Sequence, residues 1–197
     1  MKQQAPATER NREPIAEVLQ SELPNSGLLL EIASGTGEHG FYLASRFPNI
    51  DWQPSDPDPD ALASIAAWRN EYRGANLREP MAIDATSSSW PVEKADAMLC
   101  INMVHISPWE AAQGLFAGAG RLLRAGAPLI LYGPYFEQNV ETASSNLSFD
   151  DWLKARNPRW GLRDTADIDA LAALHELYRT ARYTMPANNI MLVYRAG

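Results

Sequence analysis

The sequence predicts an α/β domain built on a mostly parallel, seven-stranded sheet with helices on both faces. An apolar run, Leu28–Leu30, is followed by a glycine-rich turn and by helical spacing over residues 41–47. Such a run, which does not alternate with polar residues, is typical of a parallel strand that is covered on both faces. Further strand-like runs then alternate with helical segments. Two last strands, over residues 176–184 and 190–194, are joined by so short a connection that they predict an antiparallel hairpin.

Composition sets limits on the function. The chain has 197 residues, of which 46% are hydrophobic and 21% charged, so we expect a single domain over residues 1–197 with a real core. A formal net charge of -7 argues against a large nucleic-acid interface. The single cysteine, Cys100, is expected to be a buried thiol in a reducing compartment. No apolar stretch approaches the ~18 residues of a membrane span, and we expect a cytoplasmic protein.

The N-terminal segment, residues 1–22, is expected to contain one short helix. Pro14 suits the first helical position, and apolar residues at helical spacing follow it. Arg10 and Asn11 come just before this predicted helix. They would either reach over the ligand pocket or serve as a capped, solvated helix start.

Polar side chains end three of the predicted strands. Asp56 follows the second strand, Asp84 the third, and Asn102 the fourth. Ligands of open parallel sheets bind at the carboxyl ends of the strands, where these side chains would meet. Asp84 has an alternative interpretation as a loop cap. His105, shortly after Asn102, suits a general base at neutral pH or a structural hydrogen bond.

The segment after the fifth strand is the least regular part of the chain. Residues 136–163 are a candidate lid over the site, with a short helix that is expected to begin at Ser148. Tyr132 and Tyr135 lie at the end of the fifth strand, and their side chains would line the substrate side of the predicted site. Packing in the core is an equal alternative for Tyr132.

The turn after the first strand matches two kinds of cofactor. Gly35, Gly37 and Gly40 form the pattern G-x-G-x-x-G, and Asp56 lies at the distance of the acid that binds the ribose in dinucleotide sites. Glu31, at the end of the strand, is expected to face the pocket, where its charge would disfavour a diphosphate. S-adenosylmethionine carries an ammonium and a sulfonium and no phosphate, so it suits this acid better than NAD does.

The order of these elements resembles the class I S-adenosylmethionine-dependent methyltransferases, which have a Rossmann-like three-layer fold with an antiparallel seventh strand beside the fifth. The resemblance implies that the first-strand acid and the turn bind the methionine part, the second-strand acid the ribose and the third-strand acid the adenine. These roles fall on Glu31, Ala33, Gly35 and Gly37, on Asp56, and on Asp84. Ala33 stands where the class usually has glycine, which is tolerable if its φ is negative.

A narrower resemblance covers nearly the whole chain. It is to an uncharacterised methyltransferase-like family, long catalogued as a domain of unknown function. The strings that carry it are 10–15 (RNREPI), 30–37 (LEIASGTG), 53–60 (QPSDPDPD), 102–109 (NMVHISPW), 132–134 (YGP) and 185–189 (MPANN). This resemblance implies the fold and S-adenosylmethionine as the cofactor, and it implies no substrate.

These observations predict a methyltransferase that acts on a small molecule, with no metal, nucleic-acid or membrane partner. His105 is the candidate base, although methyl transfer needs a base only when the nucleophile carries a proton. The cofactor side is completed by Asn102, and the substrate side is assigned to Arg10, Asn11, Tyr132, Tyr135, Asn188 and Asn189.

Two other classes of function remain open from the sequence. One is a nicotinamide-dependent oxidoreductase, although the chain has no Tyr-x-x-x-Lys motif for hydride transfer. The other is a non-catalytic cofactor-binding or scaffold protein. The absence of Asn-Pro-Pro-Tyr after the fourth strand disfavours methylation of an adenine or glutamine amino group, because Asn102-Met-Val-His105 stands there instead.

Overall fold

The computed structural model describes residues 1–197 and consists of one sheet with helices on both faces. The strands are β1 (Gly27–Ile32), β2 (Ile50–Asp56), β3 (Met81–Ala82), β4 (Ala97–Ile101), β5 (Pro128–Gly133), β6 (Leu177–Met185) and β7 (Asn189–Ala196). The helices are α1 (Pro6–Glu22), α2 (Glu38–Arg46), α3 (Pro59–Glu71), α4 (Trp109–Leu122), α5 (Ser144–Arg156) and α6 (Thr165–Ala173). A short 3-10 turn at Met103–His105 follows β4.

The strands lie in the order β3-β2-β1-β4-β5-β7-β6. β7 pairs antiparallel with both β5 and β6, and the remaining pairs are parallel, so β7 alone runs against the other strands. The predicted Rossmann-like sheet of seven strands with an antiparallel terminal strand is confirmed. All the parallel strands therefore end at one edge of the sheet, which we call the carboxyl edge.

The sheet separates two hydrophobic cores. Successive side chains of a strand point to opposite faces, so neighbouring residues of β1 enter different cores. Leu29 packs with residues of α1 and α2 on one face. Leu30 packs with residues of α4 and α6 on the other. This two-sided burial explains why the first strand is an uninterrupted apolar run.

The first helix is longer than the sequence predicts. α1 begins at Pro6, and Pro14 lies inside it rather than at its first turn. A proline within a helix lacks one N–H donor and usually weakens the helix there. Asn11, on the N-terminal side of Pro14, and Ile15, on its C-terminal side, are both buried. Packing against the rest of the molecule therefore holds the helix together across the proline.

The segment 136–163 packs against its surroundings through α5. This helix begins at Ser144, four residues before the predicted start at Ser148. The Asn146 amide donates to the carbonyl of Asn188 in the β6–β7 turn at 2.9 Å. The Asp150 carboxylate accepts the Leu162 N–H at 2.8 Å. The first bond fastens the segment to the β6–β7 turn, the second lies within the segment, and the movement of the segment as a lid stays a prediction.

Candidate functional site

The acid at the end of β1 is buried beneath the glycine turn. Glu31 is 1% exposed, and its Oε2 accepts a hydrogen bond from Trp52 Nε1 at 2.8 Å. A Cβ at Gly40 would lie 2.9 Å from that oxygen, so α2 packs directly on the carboxyl group. Burial raises the pKa of Glu31 to about 7, against the lowering effect of the bond from Trp52. The expectation that this carboxylate faces the ligand pocket is therefore wrong.

The turn that follows β1 contains a residue in an unusual backbone conformation. Ala33 has a φ of +57°, so the negative φ that would make alanine tolerable at this position is not what the structure shows. The chain must change direction here, because Ser34 leaves the strand and donates its N–H to the Ser55 carbonyl at 2.8 Å. A left-handed φ costs an L-residue energy that glycine does not pay. The turn thus has the backbone geometry that glycine usually adopts, although alanine stands at this position.

The two glycines of the turn have different surroundings. Gly35 has a φ of +55°, and no atom lies within 4 Å of the position that a Cβ would occupy. Gly37 has a φ of +84° and precedes α2, and a Cβ there would lie 2.8 Å from Ile65 Cα. Gly35 therefore borders open space, as a ligand-facing residue must. Gly37 is required by the close packing of α3 against the turn.

The acid at the tip of β2 ties two strand ends together. Asp56 Oδ2 accepts the Gly35 N–H at 2.9 Å, and Oδ1 accepts the Asp58 N–H at 3.0 Å. Burial raises the pKa of Asp56, and these backbone donors oppose that effect. Each carboxylate oxygen has a second lone pair that these bonds leave free. The residue can therefore hold the turn and still accept a hydrogen bond from a ligand hydroxyl.

The acid after β3 is exposed and caps its own loop. Asp84 Oδ1 accepts hydrogen bonds from the N–H and the hydroxyl of Thr86, both at 2.8 Å. The loop-cap interpretation of Asp84 is therefore what the structure shows. The second oxygen, Oδ2, forms no hydrogen bond, so a contact with an adenine amino group stays a prediction.

The residue after β4 is also in the left-handed region. Asn102 has a φ of +65°, and its N–H donates to the Tyr132 carbonyl at the end of β5 at 2.8 Å. This bond continues the pairing of β4 with β5 to the carboxyl edge. Asn102 is partly exposed, so its side chain is accessible to a ligand at this edge.

The histidine that follows is closed off from solvent. His105 is 2% exposed, and its Nδ1 is buried without a hydrogen-bond partner. The ring of Phe149, from α5, packs edge-on against it at 5.7 Å between centroids. Burial and, second, the charge of Arg163 lower the pKa of His105 to about 3. An imidazole in this state is a weak base, so the interpretation of His105 as a base tuned to neutral pH is wrong.

The predicted substrate-side residues divide into two groups. Burial raises the pKa of the Tyr132 hydroxyl, and Asn11 and Arg10 lie close enough to lower it in part. Tyr135, Asn188 and Asn189 lie elsewhere, around a cavity of about 140 Å³ between α5 and the β6–β7 turn. The sequence therefore identified residues that the fold gathers near the carboxyl edge, but it did not separate these two groups.

Both tyrosines at the end of β5, Tyr132 within the strand and Tyr135 just after it, belong to the hydrophobic cores. Tyr132 is 3% exposed and packs with the core under α1 and α2. Tyr135 is 6% exposed and packs on the opposite face, and its hydroxyl is buried without a partner. The role of the two rings on the substrate side stays a prediction, and Tyr135 also lines the cavity between α5 and the β6–β7 turn. Core packing, the alternative for Tyr132, is observed for both.

Two residues that organise this edge were not assigned to the site from the sequence. His39 Nε2 lies 2.8 Å from Asn11 Oδ1 and links α1 to the first turn of α2. Burial, together with the charge of Arg12, lowers the pKa of His39 to about 4. Trp52, in β2, supplies the donor to Glu31. The position of His39 directly after the glycine turn was the one signal in the sequence for its role.

Two larger cavities lie outside the predicted set of site residues. One, of about 800 Å³, lies at the opposite end of β2 between the ends of α2 and α3, and Phe41 and Tyr72 line it. The other, of about 710 Å³, lies between α4 and α6, and Trp109 and Leu171 line it. Neither cavity is lined by a residue that the sequence assigns to the site. None of the helices combines the length and the apolar character that a membrane span requires.

The sequence over residues 2–196 matches the family described as "Protein of unknown function (DUF938)". The chain belongs to this family. The match covers almost all of the chain and confirms the resemblance to an uncharacterised methyltransferase-like family.

Solved structures of methyltransferases share the fold of this DUF938 protein. An O-methyltransferase family protein from Burkholderia thailandensis is 17% identical, with a TM-score of 0.80 over 97% of this chain and 57% of that chain. An O-methyltransferase family 2 protein from Planctomyces limnophilus, in complex with apigenin, is 18% identical, with a TM-score of 0.81 over 95% of this chain and 57% of that chain.

A third similar structure contains the product of the expected cofactor. CalO1, a methyltransferase in calicheamicin biosynthesis with S-adenosylhomocysteine bound, is 12% identical, with a TM-score of 0.76 over 94% of this chain and 54% of that chain. The DUF938 chain thus spans little more than half of the length of these three structures. At such identities the likeness shows the fold, which is that of the class I methyltransferases.

Proposed function

We propose that this DUF938 protein is an S-adenosylmethionine-dependent methyltransferase that acts on a small-molecule acceptor. The observation that carries the proposal is the hydrogen bond from the Gly35 N–H to the Asp56 carboxylate. It places the open glycine turn and the second-strand acid side by side at the carboxyl edge. The sheet around this hydrogen bond has the strand order of the class I methyltransferases, with β7 inserted antiparallel. The fold of methyltransferases that bind S-adenosylhomocysteine or apigenin supports the same function.

The residues at the carboxyl edge fit this cofactor. The open space over Gly35 admits a ligand close to the backbone. Asp56 keeps free lone pairs for a ribose diol, and Asp84 keeps an exposed oxygen for the adenine amino group. When bound, S-adenosylmethionine supplies a methyl group on a cationic sulfur. Asn102, partly exposed beyond β4, would border the reacting end of the ligand.

The corrected position of Glu31 changes the argument for the cofactor. A buried acid with a pKa of about 7 carries only part of a negative charge near neutral pH, and it lies beneath the turn. Repulsion of a diphosphate by Glu31 is therefore a weak argument against NAD. The antiparallel β7 between β5 and β6 is the stronger argument for S-adenosylmethionine, because it is the arrangement of the methyltransferase fold.

Catalysis in this proposal depends on alignment more than on a protein base. His105 is neutral, enclosed and weakly basic. Orientation and exclusion of water can supply much of the rate of in-line methyl transfer. The chain would therefore position the acceptor and keep water out, and α5 packed over His105 contributes to that enclosure.

Calorimetric titration with S-adenosylmethionine, S-adenosylhomocysteine and NADH tests the proposal. We expect micromolar binding of the two sulfur ligands and no binding of NADH. Asp84→Ala should weaken the sulfur ligands by about tenfold, the effect of losing one hydrogen bond to a charged group. Glu93→Ala is the control, since Glu93 is an exposed acid in the loop before β4, at the amino ends of the strands.

Two outcomes would contradict the proposal. Binding of NADH without binding of the sulfur ligands would indicate an oxidoreductase. Failure of all three ligands to bind the folded protein would indicate a scaffold that keeps the methyltransferase fold without its cofactor.

A further inference from the structure

The small cavity between α5 and the β6–β7 turn lies at the carboxyl edge. Ile190, which lines it, pairs with Gly133 at the end of β5. A Cβ at Gly133 would lie 3.5 Å from Asn102 Oδ1, just beyond β4. The cavity is therefore one strand away from the tip of β4. Its volume is about 140 Å³. An engineered cavity of about 150 Å³ binds benzene, so there is room here for a group of about six heavy atoms.

Three asparagines line this cavity with their amide nitrogens already engaged. Asn146 Nδ2 donates to the Asn188 carbonyl at 2.9 Å, and Asn188 Nδ2 donates to Ser145 Oγ at 3.0 Å. Asn189 Nδ2 donates to two carbonyls of its own turn, at 3.1 and 3.2 Å. None of the three Oδ1 atoms accepts a hydrogen bond from the protein. What these side chains leave free is therefore a set of acceptors.

The most buried of these asparagines separates a binding site from a mere turn. Turn geometry accounts for Asn188, because asparagine tolerates its φ of +57°. It does not account for Asn146, which lies in α5 and is 8% exposed. The Oδ1 of Asn146 has no partner and yet is not cut off from solvent. Since the rest of this side chain is enclosed, the cavity is the route by which solvent, or a ligand donor, reaches the oxygen.

The charges around the cavity favour a donor over an anion. Glu137 and Arg182 neutralise each other, because Arg182 Nε and Nη2 donate to the two carboxylate oxygens at 3.0 and 2.7 Å. Glu141, also on the lining, belongs to none of the ion pairs. The N-terminus of α5, at Ser144, contributes about half an elementary positive charge. The full negative charge of Glu141 exceeds it.

We propose that this cavity binds a protonated amine or amidine group of the methyl acceptor, through N–H bonds to the oxygens of Asn146, Asn188 and Asn189. An ammonium or amidinium group offers donors and no acceptor, which matches oxygens whose amide nitrogens are engaged. A carboxylate or a phosphate offers acceptors only and would leave these oxygens unpaired. The inference rests on the proposed function only for naming the ligand as the methyl acceptor.

Two probes of the same shape test the inference on the native protein. Acetamidinium and acetate are isosteric, but the first offers only donors and the second only acceptors. Each is titrated by NMR, which follows the side-chain amide signals of the three asparagines. Potassium chloride at the same ionic strength controls for the effect of a bare cation. We expect acetamidinium to shift these signals to saturation, and acetate and potassium chloride to leave them in place.

Two substitutions each remove one of the oxygens. Asn146→Ala removes the buried one. Asn188→Gly suits the φ of +57° and keeps the carbonyl to which Asn146 donates, so it decides the test if Asn146→Ala does not fold. We expect each variant to bind acetamidinium about tenfold more weakly, the effect of losing one hydrogen bond to a charged group. Asn25→Gly, at an exposed position between α1 and β1 at the amino ends of the strands, is the control and should bind like the native protein.

Several results would overturn the inference. These are binding of acetate as tight as that of acetamidinium, the same signal shifts with potassium ions, no binding of either probe, and native affinity of Asn188→Gly for acetamidinium. Failure of the proposed function is a separate result. In that case S-adenosylhomocysteine does not bind the native protein, whereas acetamidinium still does, and the ligand of the cavity is not a methyl acceptor.

Discussion

Replacement of Glu31 by glutamine is expected to stabilise the protein at high pH. Glutamine has nearly the same shape, and its side-chain oxygen can still accept the hydrogen bond from Trp52 Nε1. The change removes the ionisation of a buried acid whose pKa is raised from its ordinary value of 4.5 to about 7. Any effect that depends on pH therefore reports the burial of this one carboxyl group.

The sign and size follow from the two pKa values. Below pH 4.5 the folded and the unfolded chain both hold the proton on Glu31. As the pH rises from 4.5 to about 7, the unfolded chain releases it while the folded chain keeps it, so this residue lowers the free energy of unfolding. At about 1.4 kcal/mol for each tenfold change in the ionisation equilibrium, the total is about 3 kcal/mol.

Urea denaturation at about pH 5 and about pH 8 measures this effect. At each pH we compare the free energy of unfolding of Glu31→Gln with that of the native protein. We expect this difference to shift in favour of the variant by about 2 to 3 kcal/mol from the lower to the higher pH. Glu17→Gln, an exposed acid of α1, is the control and should show no such gain. A difference between Glu31→Gln and the native protein that is the same at both pH values would refute the reasoning.

Three other substitutions test the turn and the buried histidine. Ala33→Gly should raise the free energy of unfolding by up to about 1 kcal/mol, because it removes the strain of a φ of +57°; a loss of stability in urea denaturation would contradict this. Gly35→Ala should lower the free energy of unfolding by about 1 kcal/mol, whereas Gly37→Ala should lower it by about 3 kcal/mol or more. Only the Cβ added at Gly37 would meet the backbone of Ile65. Equal melting temperatures of the two variants would contradict this expectation. The neutral His105 should lower native stability by about 2 kcal/mol as the pH falls from 6.5 to about 5, since the unfolded chain takes up the proton first. His105→Asn should lack this part of the acid sensitivity. If the unfolding free energy of the variant depends on pH with the same slope as that of the native protein, the neutral state of His105 is not the cause.

Local patterns in the sequence were sufficient for the fold. The apolar run at Leu28–Leu30 predicted a doubly covered strand, and both of its faces are buried. The short connection at residues 185–189 predicted the terminal hairpin. These features are determined by neighbours along the chain, which is why the sequence shows them directly. The place of β7 between β5 and β6 came from the family resemblance and not from the pattern alone.

Features of the site that depend on distant residues were not predicted. The orientation of Glu31 is set by Trp52, which lies in another strand. The enclosure of His105 is produced by Phe149, from a segment that has no strong local pattern. The φ of Ala33 follows from the path of the turn rather than from the residue type. In each case packing between separate elements outweighs the local preference.

The insertion of β7 between β5 and β6 has a consequence for biosynthesis. Until residues 189–196 have been made, β5 presents one open edge and β6 has no partner strand. A nascent chain therefore exposes unpaired backbone along β5 while the glycine turn and the first strands are already complete. Open strand edges favour pairing with other chains. We expect truncation before β7 to produce aggregation rather than a smaller folded protein, and folding to be completed only after β7 emerges.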